Sequence, residues 1–323
     1  MRQILILKLG ALGDVILATS LVDAICRHHA QAQVTLLTTP AFAPLFEAQQ
    51  ELRVCALPRK GAGAMLAMLR LLRGGGFERV YDLQSNDRTR WLCGLSGIRE
   101  RVGNHPHWPY THHPQTAWHG QQHIFARYVE VLASAGVDAP QPQPLLPASE
   151  HTQQRVAEFM RTHDLQASAF CLLHAGASAQ RPFKRWPHFA ALAEKLQSAG
   201  ITPVWLGGVE DAEVNRALAS DGGIDATGAF DILQLAQLGR SARFAVTNDS
   251  GPMHALSAAG IPVFGLFGPS DWQRNHALGQ RERVLTGPGY RVEAIDGGGA
   301  NGLDQLLPET VMAALAKENL TSR

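Results

Sequence analysis

The chain has 323 residues, 45% of them apolar and 18% charged, with a formal net charge of +1. That is enough for two domains with cores of their own and is the composition of a globular protein, so disordered and fibrous classes are excluded. The near-zero balance gives no global field for nucleic acid, no apolar run approaches the roughly 20 residues of a membrane span, and no export leader opens the chain, so a cytoplasmic protein is expected.

Short apolar runs alternate with amphipathic stretches, the sign of βα units and a parallel sheet. In the first half, strands are predicted over 3–7, 34–37, 53–57, 79–83 and 101–103, with helices over 15–29, 64–73 and 88–95. A helix over 124–135 closes this half. Four prolines between Asp138 and Pro147 withhold donors from any sheet and favour extended chain. The interdomain linker is therefore placed at 141–150, after a domain over 1–140.

The pattern then restarts, with strands over 170–174, 202–206, 244–248, 263–267 and 283–286 and helices over 188–199, 212–220, 232–238 and 253–259. The second domain is read as 151–305. The Gly-rich run 296–302 is a flexible connection to a closing helix over 308–318, inside the last segment 306–323, with Pro308 at its first position. Cys26, Cys55, Cys93 and Cys171 are scattered without C-x-x-C spacing, which reads as reduced thiols and speaks against a zinc site.

Chemistry concentrates where strands hand over to helices. Asn248-Asp249-Ser250-Gly251-Pro252-Met253-His254 ends a strand in polar residues and turns at Gly251-Pro252 into a helix, with Asp249 or Ser250 placed to cap it. Such a helix start attracts anions through unpaired N–H groups and the macrodipole. Residues 4–14 form a second strand, Gly-loop and helix start, through Gly10, Gly13 and Asp14. One such loop per half suggests a ligand held between two α/β domains.

Asp14 reads equally as the cap of the helix over 15–29 or as a cleft-facing base at the strands' C-terminal edge. Lys184, in Arg181-Pro182-Phe183-Lys184-Arg185-Trp186-Pro187, is either part of a solvated basic loop or an ammonium that stabilises an anionic leaving group. Glu210, after Gly207-Gly208, caps the next helix or accepts ribose hydroxyls. His254, one turn into its helix, reads as a structural histidine or a reader of phosphate or sugar, and ranks below Asp249.

The stretch 104–123 carries His105, His107, His112, His113, His119 and His123 with Trp108, Tyr110 and Trp118. Its spacings fit no metal-ligand pattern. A mobile loop on which an acceptor sugar stacks and a surface loop of drifting composition stand level. Arg59, Lys60 and Arg88, with Arg90, Arg99 and Arg101, either meet an anionic acceptor or form a solvated face. No D-x-D element and no P-loop occurs, and the first Gly-loop, Gly10-x-x-Gly13, is not G-x-G-x-x-G and lacks an acidic ribose reader roughly 20 residues on, which disfavours a metal-held nucleotide sugar, a P-loop NTPase and a dinucleotide dehydrogenase.

Gly13-Asp14-Val15, His174-Ala175-Gly176-Ala177-Ser178, Lys184-x-Trp186-Pro187, Gly207-Gly208-x-Glu210 and Asn248-Asp249-Ser250-Gly251-x-x-His254 stand in that order across nearly the whole chain. In this the sequence resembles glycosyltransferase family 9, which contains the ADP-heptose:lipopolysaccharide heptosyltransferases. The family often has Pro where Ala175 stands.

The resemblance implies GT-B architecture, two Rossmann-like parallel-sheet domains facing a central cleft. It also implies a metal-independent, inverting transfer of heptose from ADP-heptose to the lipopolysaccharide inner core, with no further cofactor. Asp14 is then the base and Lys184 the partner of the diphosphate. Ala177, Ser178, Glu210, Asp249, Ser250, Gly251 and His254 line the donor, and Gly13, Arg59, Lys60 and Arg88 the acceptor. The implied partners are a nucleotide sugar, the lipopolysaccharide core and, peripherally, the cytoplasmic face of the inner membrane. Another nucleotide sugar, a protein acceptor, or a binding subunit without turnover are the rival readings.

Overall fold

The computed structural model describes residues 1–118, 121–177, 181–295, 297 and 299–321. The chain divides into two compact units, Met1–Leu145 and Leu146–Arg323. Unit 1 runs β1 (Gln3–Leu7), α1 (Leu12–His28), β2 (Gln33–Thr38), β3 (Leu52–Ala56), α2 (Ala62–Gly74), β4 (Arg79–Asp82), α3 (Asp87–Leu95), β5 (Glu100–Val102) and α4 (Ile124–Ala133). Its five strands pair in parallel in the order β3-β2-β1-β4-β5. In β1, four of five residues are buried and Leu5 lies opposite both Thr35 and Val80. A near-continuous apolar run of this kind is what a strand covered on both faces requires.

Unit 2 runs α5 (Glu150–Thr162), β6 (Phe170–His174), α6 (Phe189–Ser198), β7 (Thr202–Trp205), α7 (Ala212–Ser220), β8 (Ile224–Asp225), α8 (Ile232–Gly239), β9 (Ala245–Asn248), α9 (Gly251–Ser257), β10 (Val263–Phe267), α10 (Trp272–Asn275), β11 (Val284–Thr286) and α11 (Pro308–Lys317). The sheet order is β11-β10-β9-β6-β7-β8, all parallel. Both orders are those of doubly wound sheets. Connections leave β1 and β6 to one side, then return to the other side at β4 and β9. Each unit therefore has a switch point, between β1 and β4 and between β6 and β9, where an open α/β sheet binds ligands at the strands' carboxyl ends.

Each unit has its own apolar core. Leu5, Leu7, Leu37, Met68, Val80 and Leu92 anchor the first. The second is built on Leu173, Trp186, Phe189, Trp205, Val246 and Leu315. Leu315 places the C-terminal helix α11 in the core of unit 2, and at the surface Lys195 of α6 pairs with Glu309 at 2.8 Å.

Four sequence expectations change here. Helix α5 begins at Glu150, inside the segment assigned to the linker, with Ser149 accepting from the Thr152 N–H as its cap. Helix α1 begins at Leu12, so Asp14 lies inside its first turn and not at its cap. The histidine-rich stretch is tied down among its described residues. Buried Arg127 of α4 holds the Asn104 side chain, donates to the Asn104 and Thr116 carbonyls and pairs with Glu130 at 2.8 Å. Tyr110 donates to the buried Asp82 carboxylate at 2.6 Å. His119 and Gly120 lie outside the described residues. In the run 296–302, Asn301 donates to the Gly268 and Arg291 carbonyls, so its C-terminal part is pinned; Asp296 and Gly298 are not described.

Candidate functional site

In unit 2, charge gathers at the switch point. His174 ends β6 and Asn248 ends the adjacent β9. Buried Asn248 acts as a clamp: its Nδ2 donates to the carbonyls of Ala175 and Gly176, and its Oδ1 accepts from the Trp186 N–H. Trp186 sits in the core, and its indole N–H donates to Leu306 O at 2.7 Å. These two anchors fix the short turn Pro182–Lys184 over the end of the sheet.

Lys184 Nζ thereby meets Asp249 Oδ2 at 2.6 Å, with both side chains mostly buried. Asp249 therefore holds Lys184, not the helix end. Ser250 is the N-cap residue of α9, yet its hydroxyl makes no cap bond; it contacts His174 Nδ1 at 3.1 Å and donates to Asn248 O. The capping expected of Asp249 or Ser250 is thus replaced by contacts between strand ends. Gly251 opens α9, and His254 lies buried one turn further on.

Two residues that the sequence reading passed over stand beside this pair. Arg185 Nη2 reaches the buried Asp211 carboxylate at 3.3 Å, and Arg185 Nε is buried without a hydrogen-bond partner among the described residues. Asp211 also accepts from the Gly208 N–H and lies 3.9 Å from His174 Nε2. Burial, then the charge of Glu210, push the Asp211 pKa up, against the Gly208 N–H and Arg185. Burial, reinforced by Arg185, lowers that of His174 to about 4, so its imidazole is neutral at pH 7.

Gly176 makes room for this acid, because a Cβ there would stand 2.3 Å from Asp211 Oδ2. Glu210 is exposed in the turn Val209–Asp211 and caps nothing; Asp211 occupies the N-cap position of α7. Adjacent acids directly after Gly207-Gly208 were the signal for Asp211. Ala177 is buried beside these groups, and Ser178 lies outside the described residues.

In unit 1 the corresponding edge holds Lys8, just past β1 and fully buried. Its ammonium donates to Leu83 O at 2.9 Å and to the Tyr128 hydroxyl at 3.0 Å. Burial raises the Tyr128 pKa, opposed by Lys8 and reinforced by Asp14 and Asp82. Asp14 is half-buried in the first turn of α1, close to Gly13. The Arg59 guanidinium lies over Gly10, 3.1 Å from where a Cβ would stand, and Arg88 donates to the Arg59 carbonyl. Arg59, Arg88 and the loop leading to Asp14 are therefore neighbours, with Lys60 exposed next to Arg59. Among the described residues, no three His, Cys, Asp or Glu side chains form a group that could hold a metal.

Two doubly wound parallel-sheet domains in one chain are the architecture of the GT-B class of glycosyltransferase. The family model described as glycosyltransferase family 9 (heptosyltransferase) matches residues 65–293. The chain belongs to that family. It is 25% identical over 308 residues to lipopolysaccharide heptosyltransferase 2 of Escherichia coli, covering 88% of this chain and 87% of that one. Its fold matches the crystal structure of a family 9 glycosyltransferase from Veillonella parvula with a TM-score of 0.80, at 25% identity over 99% and 97% of the two chains. It matches the E. coli ADP-heptose LPS heptosyltransferase II structure with a TM-score of 0.73, at 21% identity over 99% and 98%.

Proposed function

We propose that this glycosyltransferase moves heptose from ADP-heptose to the inner core of lipopolysaccharide, with inversion, without a metal, and at the cytoplasmic face of the inner membrane. The observation that carries the reading is the Lys184–Asp249 pair beside Arg185 at the switch point of unit 2. The relatives' names, heptosyltransferases of lipopolysaccharide, supply the sugar and the acceptor. The donor is the one named for the E. coli structural neighbour.

In this reading unit 2 holds the donor. Lys184 and Arg185 face the diphosphate, Asp249 aims the lysine, and Ala177, Ser250, Gly251 and His254 line the donor, with Ser178 assigned to it by the family resemblance alone. Exposed Glu210 takes the ribose hydroxyls. Unit 1 holds the acceptor through Gly13, Arg59, Lys60 and Arg88 and supplies Asp14. The Asp14 carboxylate takes the proton of the acceptor hydroxyl as its oxygen attacks the anomeric carbon. The bond from that carbon to the diphosphate breaks, and Lys184 stabilises the charge that gathers on departing ADP.

The test is turnover of ADP-heptose with a heptose-deficient lipopolysaccharide acceptor, following ADP release and acceptor mass together. Release coupled to a heptose-sized mass gain is expected. Release of another nucleotide, or transfer to a protein, moves the assignment to another donor or acceptor; no turnover of any donor that binds makes the chain a binding subunit.

A further inference from the structure

Most large apolar side chains of unit 1 are buried, but four exposed ones gather on one face. On α3, Trp91 and Leu95 are one turn apart and 57% and 49% exposed; Trp108, 51% exposed, lies against them. The two indoles meet edge to face at 5.3 Å. Gly94 makes this contact possible, since a Cβ there would fall 2.4 Å from Trp108 Cζ2, and Arg90 Nε holds the Trp108 carbonyl. The neighbouring helix α2 presents Leu66, 46% exposed, with Arg70 and Arg73 in line at helical spacing. Arg73 Nε donates to Leu95 O at 3.0 Å, which joins the two faces.

The charge on these helices is predominantly positive. Arg70, Arg73, Arg88 and Arg90 stand against the single acid Asp87. Half-exposed tryptophans beside leucines, bordered by arginines, match the layers of an anionic bilayer surface: rings at headgroup depth, aliphatic tips below, guanidiniums on phosphates. Contiguous apolar exposure of this kind marks an interaction site. We propose that the α2–α3 face of unit 1 docks on the surface of an anionic phospholipid bilayer. Among the described residues no helix is long and apolar enough to cross a membrane, so the contact is peripheral. The inference rests on the membrane part of the proposed function and names the surface that performs it.

The test uses the full chain and vesicles without lipopolysaccharide, either phosphatidylcholine alone or mixed in equal parts with phosphatidylglycerol. Expected is co-sedimentation with the anionic vesicles only, weakened by salt. Trp91→Ala with Leu95→Ala lowers binding at least about tenfold. Arg70→Glu, a change of two charges, lowers it about tenfold. Equal binding by wild type and variants, or none by wild type, overturns the proposal, as does an oligomer that only the Trp91/Leu95 variant loses. Transfer to deacylated, soluble acceptor separates the two readings. Variants that keep wild-type transfer there support a lipid-docking face, and variants that lose it place the face in the acceptor site and overturn the proposal. Wild type that binds vesicles yet transfers nothing upholds the surface and removes the transferase reading.

Discussion

Lys184 and Asp249 are 65 positions apart in the chain and 2.6 Å apart in space, so the ammonium is paired, and in the proposed role an anionic donor competes with Asp249 for it. Lys184→Ala is expected to cost about 2–4 kcal/mol of transition-state stabilisation, read as a fall in single-turnover rate; Asp249→Asn, which keeps an acceptor for the ammonium, costs less. Asp14→Asn is expected to slow transfer roughly 100-fold or more while ADP still binds, and an unchanged rate removes the base assignment.

His174 makes a prediction about pH. Its pKa is lowered in the fold to about 4 from an ordinary 6.5. Between those values the unfolded chain holds a proton that the folded chain lacks. Stability therefore falls as pH drops through this window and levels off below it, by an amount on the order of 3 kcal/mol. His29, lowered to about 4 mainly by burial, acts in the same direction, while the raised carboxyls Asp82 and Asp211 oppose it. The readout is therefore a difference: urea unfolding of His174→Asn has a flatter acid slope than wild type, and identical slopes would contradict the assigned burial effect.

At the scale of elements, the apolar runs of β1, β6 and β10 specify their strands residue for residue, because a strand buried on both faces has few other solutions. Helix α5 escaped because only Thr152 and Val156 of its thirteen residues are buried, leaving little apolar stripe to read; the Ser149 cap was its one legible signal. The site depends on how strand ends are tied together. Asn248→Ala removes three buried hydrogen bonds at once and strands their partners, so a loss of about 2–4 kcal/mol in urea unfolding is expected, with weaker ADP binding. Native stability in that variant would show that the clamp is dispensable.

At the scale of the whole molecule, the proposed function puts the nucleotide on unit 2, with its charged cluster, and the acceptor on unit 1. Adding ADP is expected to slow amide hydrogen exchange around 174–177, 181–186, 206–211 and 248–254 and to leave 1–145 unchanged. Protection confined to unit 1 would reverse the domain roles.

The periodicity of apolar residues determined the alternating strands and helices of both sheets except the two-residue β8 and the helices α5 and α10, because alternation between burial and exposure is written locally. The motif order across the chain pointed to the family, and strand-to-helix junctions pointed to Lys184, Asp14 and Asp249. Which of those groups pair, and which neighbours join them, was decided only in three dimensions. Asp249 reads locally as a cap, yet a lysine delivered by a distant turn outcompetes backbone N–H groups for its carboxylate. Arg185 and Lys8 carry no signature of their own, and Asp211 only its place beside Glu210 after Gly207-Gly208; parallel topology brings the carboxyl ends of β6 and β9, and of β1 and β4, side by side, and burial there gives ordinary charged residues their chemistry.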